Sequence, residues 1–272
     1  MNIPTNLETV EVKGMQAGRI PRLSSIKQSL QAGIGTLARG LPIPIEERAP
    51  GIDTSHWNGD MNFAFNPLLR FACIKATQGV SIFDDQYLNS RNKLSSMELP
   101  FHAFHFLTTS DGAVQANWFI DHIQDKPGPM PAMIDVELAS IAASLIRACV
   151  QRVYDRMRYW PMIYTSAYYW SLVTGASDKL WIAQRCKLWV AHWDTDSPIL
   201  PPDWSDYFIH QHSANGNGQG QAWGAPPEGD RDMDLDRCRK SWLAQYEPVH
   251  DSWQWDVTNS LRALGQTVRN PE

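Results

Sequence analysis

The chain has 272 residues, of which 43% are hydrophobic and 11% aromatic, enough for one large domain or two small ones and too apolar for wholesale disorder. Its formal net charge is −5, its isoelectric point is about 5.9 and no basic block stands out, which disfavours nucleic acid as a partner. No run of about 18 apolar residues is present, so no membrane insertion by a helix is expected.

Residues 1–50 differ from the rest in being mixed polar, with prolines at 4, 21, 42, 44 and 50. Within them Leu23, Ile26, Leu30, Ile34 and Leu37 recur at helical spacing, interrupted by Gly33 and Gly35. This predicts one amphipathic helix that either packs on the main domain or docks on a partner. The first residues, MNIPTNLETVEVKG, lack the basic-then-apolar layout of a secretory signal.

From residue 49 a rhythm begins. Short apolar runs end in polar residues: APGIDTS (49–55), RFACIKATQG (70–79), PFHAFHFLT (100–108), PAMIDVE (131–137), WPMIYTS (160–166), KLWVAHW (187–193), DYFIHQHS (206–213) and RDMDLD (231–236). These are eight predicted strands. The first five are each followed by a helix-compatible stretch, such as residues 115–125 after the third. After the fourth, Leu145, Cys149, Val153 and Met157 recur every four residues as an apolar face. The sixth strand is followed by Pro198, Pro201 and Pro202, which forbid an ordinary helix, and the seventh by a glycine-rich loop, SANGNGQGQAWGAPPEG. Five β-α units followed by three more strands predict an α/β fold, a modified TIM-like barrel, with short helical extensions at both ends. The parts are an N-terminal extension (1–48), the barrel (49–240) and a C-terminal extension (241–272), where Trp253, Val257, Leu261 and Leu264 share a helical face.

In PAMIDVE two acids stand two residues apart. Alternate residues of a strand point to the same side, about 6.5–7 Å apart. Asp135 and Glu137 therefore face together above Met133, while Ile134 and Val136 face the helices. Barrel enzymes keep their chemistry at the C-terminal strand ends. Two carboxylates this close repel, so one holds a proton near neutral pH while the other ionises, the combination that glycosidic bond cleavage uses. Asp53 ends the first strand and Asp234 lies in the eighth, its neighbour in a closed barrel. Four carboxylates from three strands then ring one opening, a cost that points to function. Lys75 shares parity with Cys73 and either points inward to pair with Asp53 or lies along the surface. Twelve Trp are open to two readings, core packing or a groove for ringed ligands such as sugars. The four cysteines, Cys73, Cys149, Cys186 and Cys238, show no CxxC spacing and read as reduced structural thiols. His210 and His212 form an HxH pair, but strand parity puts Gln211 inward instead, so a metal site is disfavoured.

In order, GIDTSHWNG, FACIKATQG, AFHF, IDVE, MIYTSAYYW, LWVAHW, QHSANGNG and DLD resemble glycoside hydrolase family 25, the Chalaropsis-type lysozymes, over roughly residues 49–240. The resemblance implies a cofactor-free and metal-free muramidase that hydrolyses the β-1,4 bond between N-acetylmuramic acid and N-acetylglucosamine of peptidoglycan glycan strands. It implies Glu137 as general acid and Asp135 as the residue supporting the substrate N-acetyl group. Asp53 and Asp234 become supporting acids, with Tyr164, Trp189, Gln211, Phe104, His105 and Lys75 as the sugar-binding set. The chain departs from the family at Phe104, where Tyr is usual, at His212, where Tyr is frequent, and at Asp236, which turns the usual D-L-N into D-L-D. A wall-binding or structural particle component on the same barrel is the competing reading, and another N-acetylglucosamine polymer is the competing substrate. The flanking extensions fit a bacteriophage enzyme. It would be an endolysin, in the host cytoplasm before release to the wall, or a virion lysozyme held to tail or baseplate proteins through residues 1–48.

Overall fold

A computed structural model describes residues 38–123, 128–139, 141–214, 218, 220–229 and 232–247. The two terminal helices expected at residues 23–37 and 253–264 lie outside the described residues.

Eight strands close into a barrel. In chain order they are β1 (Arg48–Thr54), β2 (Phe71–Gln78), β4 (Phe101–Phe106), β5 (Met133–Asp135), β6 (Met162–Thr165), β7 (Leu188–Ala191), β8 (Ile209–Ser213) and β9 (Asp234–Arg239). A two-residue strand, β3 (Ile82–Phe83), which the sequence reading did not contain, adds to the edge of β2 as an antiparallel partner. All pairings from β1 through β2 and β4 to β8 are parallel, and β9 runs antiparallel to both β8 and β1 as it closes the ring. All eight predicted strands are therefore present, with the first and last as neighbours.

The helices are fewer than the rhythm suggested. Strand β2, with its appended β3, leads to α1 (Tyr87–Ser96), β4 to α2 (Gly112–Ile123), β5 to α3 (Ala143–Met157), and β6 to α4 (Ala167–Leu172) and α5 (Ala176–Ala183). The first unit lacks its expected helix. After β1 the chain makes one 3₁₀ turn, His56–Asn58, in which Asn58 Oδ1 accepts the Ser55 backbone N–H at 3.0 Å. Gly59, at φ 70°, then turns the chain out of helical conformation. The apolar face of α3 is also rotated. Ala143, Ile146, Cys149, Val150 and Val153 are buried, while Leu145 and Met157 sit half-buried at its margin.

Two apolar layers follow from strand alternation. Outward residues such as Ile52, Ile74, Ala103, Ile134, Val136, Ile163 and Val190 pack under Phe119, Ile120, Ile146 and Val153 of the helices. Each fully buried aliphatic or aromatic side chain contributes about 1.5–3 kcal/mol. Inward residues fill the lower barrel: Ala49, Phe71, Cys73, Phe104, Met133, Met162, Trp189, Ile209 and Cys238, closed below by Trp242 and Leu243 of α6 (Lys240–Leu243). The four thiols are all free and buried.

Residues 38–48 belong to this body. Gly40 N–H donates to Pro198 O at 2.8 Å, Tyr207 Oη to Leu41 O at 2.7 Å and Ser197 Oγ to Gly40 O at 2.8 Å, so the segment is strapped across the β7–β8 connection. Among the described residues no helix is long and apolar enough to cross a membrane.

Helices α2 and α3 meet where Gly112 lies against the first turns of α3. A Cβ there would stand 2.0 Å from Leu145 O. Gly112→Ala is expected to push the helices apart and lower stability by about 1–3 kcal/mol in denaturant titration. An unchanged midpoint would show that the two helices separate without cost.

Candidate active site

Inward positions near the C-terminal strand ends carry acids where lower positions carry apolar groups. Asp135 ends β5, in register with Tyr164 of β6. Beyond it the chain stays extended, because Val136 N–H donates to Tyr164 O at 2.9 Å and Thr165 Oγ1 donates to Val136 O at 2.8 Å. Glu137 thus returns to the same face, and the two carboxyl groups hydrogen-bond to one another. Asp135 is buried and Glu137 half-exposed. Asp53 faces Asp234 across the β1–β9 pairing, and Asp236 lies two residues further along β9. All five acids therefore meet in one barrel mouth.

The electrostatics follow from packing. Burial pushes Glu137 up to about 7, with the charge of Asp53 adding to the effect and the hydrogen bond to Asp135 opposing it. Asp53 rises to about 6 by burial, against hydrogen bonds from Gln211, Asp236 and Asp234. Burial also raises Asp135, Asp234 and Asp236, reinforced by their acidic neighbours. A proton shared within each close pair relieves the repulsion, so the pair titrates as a unit.

A brace holds Asp53. Gln211 Nε2 donates to Asp53 Oδ2 at 2.8 Å, while Gln211 Oε1 accepts Tyr164 Oη at 2.9 Å and Trp193 Nε1 at 2.8 Å. On the other side Lys75 is buried with its Nζ donating to Gln78 Oε1 at 2.8 Å and lying 5.2 Å from the Phe106 ring centre. Burial pulls its ammonium below the usual lysine range, while Asp135, Asp84 and Glu137 push it back up.

The expected acids are thus together, while the expected binding residues lie at different depths and on different faces. Lys75 points inward as one reading held, yet its charge partners are Asp135, Asp84 and Glu137 in place of Asp53. A register shift between Lys75 and Thr77 brings Gln78 onto the same side as Lys75. His105 is turned away from the mouth. Its ring bonds Thr77 Oγ1 at 2.7 Å and Gln115 Oε1 at 3.3 Å between sheet and α2, and burial lowers it to about 4. Strand alternation puts Phe104 inward, but one layer too low: it registers with Met133 while Phe106 registers with Asp135. Trp189 is 1% exposed and donates to Asp236 Oδ1 at 2.9 Å beneath the acids, so it supports the floor and offers no face to a sugar. Tyr164 and Gln211 are buried too: Gln211 holds Asp53, and Tyr164 holds Gln211.

Half-exposed groups at the opening are ones the sequence reading passed over: Trp193, Phe106 and Tyr169, whose phenol is raised by burial and by the charge of Glu137. Tyr169 and Trp193 were legible only as members of the MIYTSAYYW and LWVAHW runs, without parity to place them beyond the strand ends. Outside the mouth, His210 bonds His192 O and Arg237 on the outer face, and no metal-ligating cluster of His, Cys, Asp or Glu occurs among the described residues.

The family model described as glycosyl hydrolases family 25 matches residues 52–221. Lysozyme M1 of Streptomyces globisporus is 28% identical over 217 residues, covering 68% of this chain and 71% of that protein. The N,O-diacetylmuramidase of Chalaropsis is 28% identical over 47% of this chain and 71% of its own length. Among solved structures, the bacterial lysozyme from Streptomyces coelicolor superposes with a TM-score of 0.61 at 24% identity, over 73% of this chain and 96% of that one.

The raised Glu137 fixes a sign for stability. Its folded value, about 7, exceeds the 4.5 of a free side chain, so folding takes up a proton there. Its contribution is fully present below about 4.5 and is lost as pH rises through about 7. The melting temperature of Glu137→Gln should therefore gain on the parent protein between pH 5 and pH 8. A constant difference across that range would mean that Glu137 carries no extra proton in the folded state.

Proposed function

The chain belongs to glycosyl hydrolase family 25, and from that premise we propose that it hydrolyses the β-1,4 bond between N-acetylmuramic acid and N-acetylglucosamine in peptidoglycan. It is a glycoside hydrolase by family; its bond and its residue roles are our reading of the site.

The observation that carries the reading is the Asp135–Glu137 pair: a half-exposed acid, raised to about 7, hydrogen-bonded to a deeper one whose Oδ1 is buried without a donor. Glu137, whose raised value leaves part of the population protonated at neutral pH, gives its proton to the glycosidic oxygen as that bond breaks. The free oxygen of Asp135 accepts the acetamido N–H of the sugar on the −1 side. This orients the acetyl oxygen to attack the anomeric carbon and stabilises the positive charge that develops there. Glu137, now ionised, takes a proton from the water that opens the resulting oxazolinium ring, which restores the starting state and releases a reducing end. Asp53 keeps a negative charge facing the pair, and Asp234 supports it. Trp193 and Tyr169 flank the opening, where an apolar sugar face can stack.

Glu137→Gln keeps shape and removes the transferable proton. Turnover on purified cell walls should fall by about 10²–10⁴-fold, and mass spectrometry of fragments released by the parent protein should show muramic acid at the reducing end. Wall binding without release of reducing ends by the parent protein would favour a non-catalytic binding role. N-acetylglucosamine at the reducing end would assign the wrong bond.

For the setting we propose a bacteriophage enzyme, a virion-held lysozyme or an endolysin, with the part of the N-terminal extension before residue 38 as the segment that meets tail or baseplate proteins. The support is the helical apolar spacing from Leu23 to Leu37. Proteomics of purified virions of a phage encoding this chain should detect it in the particle. Its absence there, with accumulation in the host cytoplasm before lysis, would favour the endolysin form.

A further inference from the structure

Asp236 is the acid for which the reaction scheme has no use. It sits on β9 opposite Gln211 of β8 and Gly51 of β1, with its side chain inside the barrel. Only 1% of it is exposed. Oδ1 accepts the Trp189 indole N–H at 2.9 Å. Oδ2 is buried and no N–H or hydroxyl donor reaches it. What lies within hydrogen-bonding reach is the carboxyl group of Asp53. Two carboxyl groups make a favourable contact in a dry interior only when a proton lies between them.

The surroundings offer a charge on Asp236 no relief. The titratable groups that act on it or feel it are Asp53 on β1, Cys73 on β2, and Asp234 and Cys238 on its own strand, none of them cationic. From β7 and β8 the neighbours are the neutral Trp189 and Gln211. Arg237, next in sequence, faces the other side of the sheet, where it binds Asp196, Thr195 O and His210. Lys75 interacts instead with Asp135, Asp84 and Glu137.

We propose that Asp236 is a positioning residue that remains protonated at neutral pH and donates a hydrogen bond to Asp53, leaving Asp53 as the ionised member of the Asp53–Asp234–Asp236 group. Asp53 is then held from one side by the Gln211 amide at 2.8 Å and from the other by Asp236, itself anchored on Trp189. The arrangement fixes one negative charge in the place from which it helps keep the proton on Glu137. Asp236 touches neither substrate nor the reacting atoms; it acts through Asp53. The inference deepens the muramidase reading and rests on Glu137 as the acid.

Its test has a substrate-free arm and a kinetic arm. Carboxyl-carbon NMR of the substrate-free protein labelled at Asp side chains, with Asp236 assigned by the signal missing in Asp236→Asn, should show a protonated carboxyl at pH 7. An ionised carboxylate there overturns the proposal whether or not any variant is active. In kinetics, Asp236→Leu removes the donor and should lower kcat at least about tenfold, with KM nearly unchanged. Asp236→Asn supplies a neutral N–H donor. It should recover most of that loss and keep the upper limb of the kcat–pH profile where the parent protein has it. A limb displaced downward by about one unit or more in Asp236→Asn would mean that a negative charge had been removed, and Asp236 would not be the proton holder. If Glu137→Gln proved fully active, the catalytic reading would fail while the NMR signal of Asp236 still stood on its own.

Discussion

Carboxylates repel, and this barrel packs five of them into one mouth, Asp135 and Asp236 buried and Asp53, Glu137 and Asp234 part-exposed. Most features of the site answer that constraint. A barrel of eight strands has its upper layer filled from several chains of residues at once, and here β1, β5 and β9 deliver acids to the same level. Burial strips these groups of water, and their proximity penalises each further charge. The mouth therefore retains protons that free side chains would have lost at the same pH. A proton retained on a half-exposed carboxyl is within reach of whatever enters the opening, so the cost of the cluster and the chemistry proposed for it have one origin.

The remaining polar groups distribute what charge is left. Gln211 offers its amide N–H to Asp53 and turns its carbonyl to Tyr164 and Trp193, so a single neutral side chain of β8 ties β1 to β6 and to the segment that follows β7. Lys75 brings a positive charge toward the opposite side, among Asp135, Asp84 and Glu137. Its register shift matters because an uninterrupted β2 would have put Gln78 on the helix side and left the ammonium without that acceptor. Below, Trp189 and the apolar plug around Met133, Met162 and Phe71 keep the floor dry. Close packing does the rest: the place a Cβ on Gly51 would take is filled by the Phe71 ring, so the lower barrel has no room for a larger residue at that level.

Much of this was legible in the chain itself. The eight apolar runs, the loss of helices after the sixth strand, and the common orientation of Asp135 and Glu137 all follow from periodicity and from the conformational limits of Pro and Gly. Parity also put Gln211 inward and His210 outward, and the order of eight motifs identified the family. These are local properties, decided by the alternation of a strand and the backbone of a few residues at a time.

Other features depended on how elements meet. Periodicity alone did not reveal that the first connection is a 3₁₀ turn, because its brevity comes from Asn58 capping back to Ser55 and from Gly59. Parity distinguishes inside from outside but gives no height along the barrel axis. Phe104 and Trp189 face inward but lie below the acid pair, whereas His105 stands on the opposite face. Height is set by the stagger between neighbouring strands, a relation among distant segments. The same stagger puts Asp236 against Asp53 and makes an extra acid in the last motif part of the floor under the site. The sequence by itself determined which residues face the barrel axis, since side-chain direction is a property of one strand; which of them meet, and at what depth, only the closed sheet decided.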